Sequence, residues 1–143
     1  MILEYLSRAV ANALPDAVVR IAADLPTALQ AAQQSRLDMV LLDLGLPGCG
    51  GLDSIVRFRK EFPDISVLVF SSTDDEQTIF GALGVGAAGF VPKTAGPKML
   101  MQALRAVVRG ERFIPHEFLA AEAGRQSAEE QEDGKIPGRR GKP

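Results

Sequence analysis

Asp43, Ser71 and Lys93 each close a run of apolar residues: Met39-Val40-Leu41-Leu42-Asp43, Val67-Leu68-Val69-Phe70-Ser71 and Phe90-Val91-Pro92-Lys93. They supply a carboxylate, a hydroxyl and an ammonium. Brought to one place, these groups suit phosphoryl chemistry. The carboxylate can attack phosphorus as a nucleophile, while the ammonium and hydroxyl hydrogen-bond and neutralise the phosphoryl oxygens. Singly, each has a plainer reading. An Asp followed by Gly45 and Pro47 caps a turn, a strand-end Ser forms turns, and a lone Lys is solvated. The elements that carry the three residues decide between these readings.

Unbroken apolar runs such as 39–42 and 67–70 read as strands buried on both faces. Between them the period changes to that of a helix. Residues 2–14 place Leu3, Leu6, Val10 and Ala13 on one helical face, and Pro15-Asp16 ends that helix. Ala17-Val18-Val19-Arg20-Ile21-Ala22 reads as a β-branched strand, with Arg20 pointing to a sheet edge. Asp24 caps a helix over about 26–35 with Pro26 in its first turn, and Leu52, Ile55, Val56 and Arg59 set a helix over 52–60. Pro63-Asp64 breaks the chain before the strand 65–71. Thr73-Asp74-Asp75-Glu76 matches a capping box for a helix to about Val85, which Gly86 stops. Ala88-Gly89-Phe90-Val91 is a short strand. Pro97 opens a last helix, with Leu100, Leu104, Val107 and Val108 on its apolar side and Gly110 at its end. Strands alternating with helices predict a parallel sheet in a doubly wound α/β domain. In such a sheet all strand C-termini lie at one edge, where ligands bind. That edge would gather Asp43, Ser71 and Lys93.

The 143 residues suffice for one domain with a real core, and 46% of them are hydrophobic, as in soluble globular proteins. A net charge of −2 gives no global attraction to nucleic acid or membrane. Cys49 is the single cysteine, which rules out an internal disulfide and fits a reducing cytoplasm. Neither a membrane-spanning apolar run nor a signal peptide is present in the sequence. Without Trp and with one Tyr, an aromatic base-stacking surface is disfavoured. Beyond Ala123 an acidic run, 129–133, precedes a basic Gly/Pro-rich end, 135–143. That composition predicts a flexible tail over 124–143 after a domain over 1–123.

On these motifs the chain resembles bacterial response-regulator receiver domains, of the branch that carries a helix-turn-helix output domain of the LuxR type. The residues responsible are Leu41-Leu42-Asp43-Leu44-Gly45-Leu46-Pro47-Gly48 with Gly51-Leu52, Val67 to Ser72, and Gly86-Ala87-Ala88-Gly89-Phe90-Val91-Pro92-Lys93. Over about 1–120, the resemblance implies a flavodoxin-like fold with strand order 2-1-3-4-5. It implies a signalling domain rather than an enzyme. Asp43 would be phosphorylated by a sensor histidine kinase, with Ser71 as the switch hydroxyl, Lys93 as the phosphate counter-ion and Phe90 as the switch aromatic. Asp43 and the Gly45 carbonyl would ligate a magnesium ion. A homodimer would form through the helices near 75–85 and 97–109, in the service of transcription regulation. Phe90 read without the resemblance is core. A haloacid-dehalogenase-type phosphatase also uses a strand-end Asp, but needs a second Asp where this chain has Gly45.

Two departures from the family pattern follow. The resemblance places a first strand ending in two acidic residues ahead of the first helix, and Met1-Ile2-Leu3 already matches that helix. The acidic pair is therefore expected to be absent, which leaves a poor magnesium site and slow or no phosphorylation. In the sheet, strand 17–22 would then pair directly with 38–43, borrow a strand from a second molecule, or come loose. At the other end, only nine residues follow Gly134, and DNA binding by this chain alone is not expected. The basic cluster Lys135, Arg139, Arg140 and Lys142 reads as a solvated tail, and His116 and Cys49 as surface residues. The reading alternative to a phosphoacceptor is a pseudo-receiver, a phosphorylation-independent binding or dimerisation module.

Overall fold

The computed structural model describes residues 2–45, 50–72 and 75–115. Contacts divide the chain into 1–113 and 114–143, and of the latter only Ile114 and Pro115 are described. The expected boundary near 123, the tail, His116, Cys49 and the Thr73-Asp74 half of the expected capping box lie outside the described residues.

Helix α1 (Ile2–Ala13) is followed by α2 (Leu25–Gln34), strand β1 (Met39–Leu42), α3 (Leu52–Glu61), β2 (Ser66–Ser71), α4 (Glu76–Gly84), β3 (Gly89–Pro92), a 3₁₀ turn (Lys93–Ala95) and α5 (Pro97–Val108). The start signals act locally. Asp24 accepts a hydrogen bond from the Thr27 N–H at 2.8 Å, and Asp75 accepts one from the Thr78 N–H at 2.8 Å. Each satisfies an orphan donor in a helix's first turn. The expected cap of α4 thus moves to Asp75. Gly86 takes φ +107° just past α4, the left-handed stop its position predicts.

The three strands are parallel in the order β1-β2-β3. Leu42 lies opposite Val69, and Ser71 opposite Pro92. Helices α1 and α5 cover one side of the sheet, their Ala9, Ala13, Leu100 and Leu104 packed with Leu68, Phe70 and Val91. Strand side chains alternate, so Val67, Val69 and Phe90 face the other way, where α3 and α4 contact β2 and β3. Ile55, Phe58 and Ile79 are fully buried there. Val56, read as part of the apolar face of its helix, is 42% exposed, and Phe58 takes the interior place.

One expected element does not form. Residues 17–22 belong to no strand, and Val18 is 91% exposed. Arg20 is not on a sheet edge; its guanidinium donates to Ser35 Oγ. β-propensity requires a partner strand to be realised. Between this segment and β1 lies a cavity of about 530 Å³ instead of a ladder. The sheet therefore has three described strands rather than the four that the sequence motifs predict, and the direct pairing of 17–22 with 38–43 is not made.

Candidate phosphoryl site at the strand ends

Register builds the site. β1 pairs with residues 66–69 of β2, and β3 with 68–71. Asp43, one residue past β1, and Lys93, one residue past β3, therefore flank the C-terminal end of β2. Although fifty residues apart in sequence, the two side chains meet, with Lys93 Nζ donating to Asp43 Oδ2 at 2.7 Å. The second carboxylate oxygen, Oδ1, accepts the Gly45 N–H at 2.9 Å. This bond two residues onward is an Asx turn, so the plain turn-capping reading of Asp43 holds as well. Lys93 and Asp43 side chains remain 28% and 23% exposed, open enough for a small anion to approach.

Phe70, just before Ser71, lies beneath the ammonium, with Lys93 Nζ 5.9 Å from the ring centroid. Lys93 is thus held between a carboxylate and an aromatic face. Sequence reasoning missed Phe70 in this role, because only the β2–β3 register puts it there. Ser71 ends β2 opposite Pro92 and is 4% exposed, so its hydroxyl sits at the same edge but in the interior. Phe90 is fully buried in the middle of β3, and its backbone N–H donates to the Phe113 carbonyl at 3.1 Å. In this state it is a core residue.

A magnesium ion at this edge would draw on Asp43 and the Gly45 carbonyl. The metal takes six oxygens in near-octahedral geometry. Asp43 has one oxygen on an ammonium and the other on a backbone amide. Among the described residues no three His, Cys, Asp or Glu side chains cluster as a metal group. No helix among them is long and apolar enough to cross a membrane.

The response regulator receiver domain model matches residues 1–105. The glycerol metabolism activator of Pseudomonas putida is 30% identical over 130 residues, which cover 89% of this chain and 59% of that protein. The transcriptional activator protein ExaE of the same species is 37% identical over 103 residues, 72% of this chain and 47% of its own length. The chain thus spans about half the length of these curated relatives. Among solved structures, a LuxR family DNA-binding response regulator from Silicibacter pomeroyi superposes with a TM-score of 0.71 at 28% identity, over 81% of this chain and 89% of that one. The isolated receiver domain of RcsB from Salmonella enterica gives 0.74 at 21% identity, over 80% and 86%, which speaks to the fold alone. A strand-end Asp–Lys pair on a parallel α/β sheet, with these matches, makes the chain a member of the response-regulator receiver domain family, of the LuxR/NarL type.

Proposed function

We propose that Asp43 is the phosphoacceptor of this receiver and that a sensor histidine kinase supplies the phosphoryl group. The observation that carries this reading is the 2.7 Å contact between Lys93 Nζ and Asp43 Oδ2. A carboxylate oxygen attacks phosphorus, and the P–N bond of the phosphohistidine breaks with its electron pair leaving on the imidazole. The ammonium already beside the attacking group then neutralises the phosphoryl oxygens. Ser71 is the hydroxyl that turns toward the new phosphoryl group, and Phe90, already buried here, is the switch aromatic that keeps the inward position behind it. Transfer is slow, because Asp43 and Gly45 make a poor metal set and Lys93 supplies most of the positive charge. The domain extends to about 123, dimerises through α4 and α5, and works in the cytoplasm in transcription regulation.

Phosphoramidate labelling followed by intact-mass and peptide mapping tests this. One adduct is expected on Asp43, absent from Asp43→Asn, forming slowly and with little response to magnesium. A rate that rises steeply with magnesium, to values normal for receivers, overturns the impaired metal site. The engagement of both Asp43 oxygens favours a second reading, a pseudo-receiver that binds partners without phosphorylation. No adduct on Asp43 under any condition establishes that one instead.

A further inference from the structure

Phe70 is an aromatic residue where the packing asks only for a large apolar one. It is 2% exposed and belongs to one cluster with Ala9 and Ala13 of α1 and Leu100 and Leu104 of α5. An aliphatic side chain of similar volume would fill that place. Packing alone does not explain why the ring lies 5.9 Å from Lys93 Nζ. That distance is within the reach of about 6 Å at which an aromatic face attracts an ammonium.

Strand alternation divides the site between the two faces of the sheet. Ser71 falls in step with Val67 and Val69, on the side of α3 and α4. Phe70 falls in step with Leu68, and together with Val91 it packs on the side of α1 and α5. The ammonium is therefore held from the face opposite to the one that carries Ser71 and Phe90.

We propose that Phe70 is a positioning residue of the phosphoryl site, whose ring keeps the Lys93 ammonium beside Asp43 throughout phosphoryl transfer. This role rests on Asp43 being the phosphoacceptor. Before transfer the ammonium has two holders, Asp43 Oδ2 at 2.7 Å and the ring. When a carboxylate oxygen bonds phosphorus, the carboxylate gives up its negative charge and its attraction for the ammonium falls. The attraction of the ring comes from its quadrupole and does not change. A lysine held by the carboxylate alone would at that moment be released toward solvent, to which its side chain is 28% exposed. Held by the ring as well, it stays where the phosphoryl oxygens arrive. The ring is enclosed by the packing of α1 and α5 against the sheet, so it offers a fixed surface, the condition for a preorganised charge.

The test replaces Phe70 in the full chain by phenylalanines carrying one, two and three ring fluorines. Successive fluorines withdraw negative charge from the ring face and change its shape little. Two quantities are read: the phosphoramidate labelling rate of Asp43, and the Lys93 Nζ ammonium cross-peak recorded without any phosphoryl donor. The logarithm of the rate should fall stepwise, reaching about two- to five-fold below the unsubstituted protein with three fluorines. The urea midpoint should stay in place, and the cross-peak should move in the same order as the rate. Phe70→Leu, which keeps an apolar side chain but no ring, should label about as slowly as the trifluoro variant. In a Lys93→Met background the fluorine series should be flat, because the ring acts through the ammonium. A rate that ignores fluorination while the adduct forms, or an equal slope in the Lys93→Met background, overturns the proposal. A cross-peak that does not move overturns it too, whatever the labelling shows. No adduct on Asp43 in any variant fells the phosphoacceptor reading and with it the role in transfer. The cross-peak series needs no phosphoryl group, so it tells that failure apart from a ring that does not hold the ammonium.

Discussion

Lys93 bears on Asp43 in two ways that mutation separates. As an ion pair between partly exposed side chains it contributes little to folding, about 1 kcal/mol at most. On the function proposed above, its charge beside the attacking oxygen would also govern phosphoryl transfer. Lys93→Met should therefore shift the urea midpoint only slightly while lowering the phosphoramidate labelling rate of Asp43 about 10²-fold. Equal losses of stability and labelling would make the pair a folding contact. Phe70 adds the aromatic face under the ammonium, and Phe70→Leu should move the Lys93 Nζ resonance without abolishing labelling. Asp43, Ser71 and Lys93 were legible in the sequence because each closes an apolar run. Phe70 was not, since it is one more apolar residue within such a run and only the neighbouring strand gives it a second role.

At the scale of elements, close approach fixes β3. A Cβ on Gly89 would lie 2.7 Å from the Phe113 carbonyl oxygen and 3.0 Å from Leu68 Cδ1. The backbone cannot yield as a flexible side chain can. Gly89→Ala should cost about 1–3 kcal/mol by chemical denaturation, whereas Gly81→Ala meets only the end of the Leu52 side chain and should cost less. Helix α2 carries a pH-dependent cap. Hydrogen bonding by the Thr27 side chain, and then by its N–H, holds the Asp24 carboxyl below its ordinary value of 3.8. A carboxyl depressed in the folded state stabilises above that ordinary value, and the contribution is lost as pH falls through the folded one. Asp24→Asn keeps an N-cap acceptor and should flatten this part of an acid titration of stability followed by helical circular dichroism. Another link joins distant elements: Arg105 Nε of α5 donates to the Ala13 carbonyl that ends α1, at 3.4 Å. Such ties cannot be read from periodicity, which reveals a helix's apolar face but not its neighbour.

For the whole molecule, the sheet is covered in the middle and open at one side. β2 is paired on both edges and its Val67, Leu68 and Val69 are fully buried, while β1 is only partly buried along most of its length. Hydrogen exchange should therefore rank the strands. β2 amides should exchange only through global unfolding, and the outward amides of β1 much faster through local opening. Uniform protection across the three strands would show that the outer edge of β1 is already occupied in solution.

The sequence by itself determined the alternation of helices and strands, most caps and stops, and the three strand-end residues able to do phosphoryl chemistry. Each of these is set within a few residues, by apolar period, a capping carboxylate or a glycine at positive φ. The tertiary structure alone decided that Lys93 reaches Asp43, that Gly45 and Lys93 occupy both carboxylate oxygens, and that Phe70 lies beneath the ammonium. It also decided that Ala17–Ala22, β-branched as it is, forms no strand. A strand needs a partner across a ladder, and whether one is there depends on residues far away in the chain.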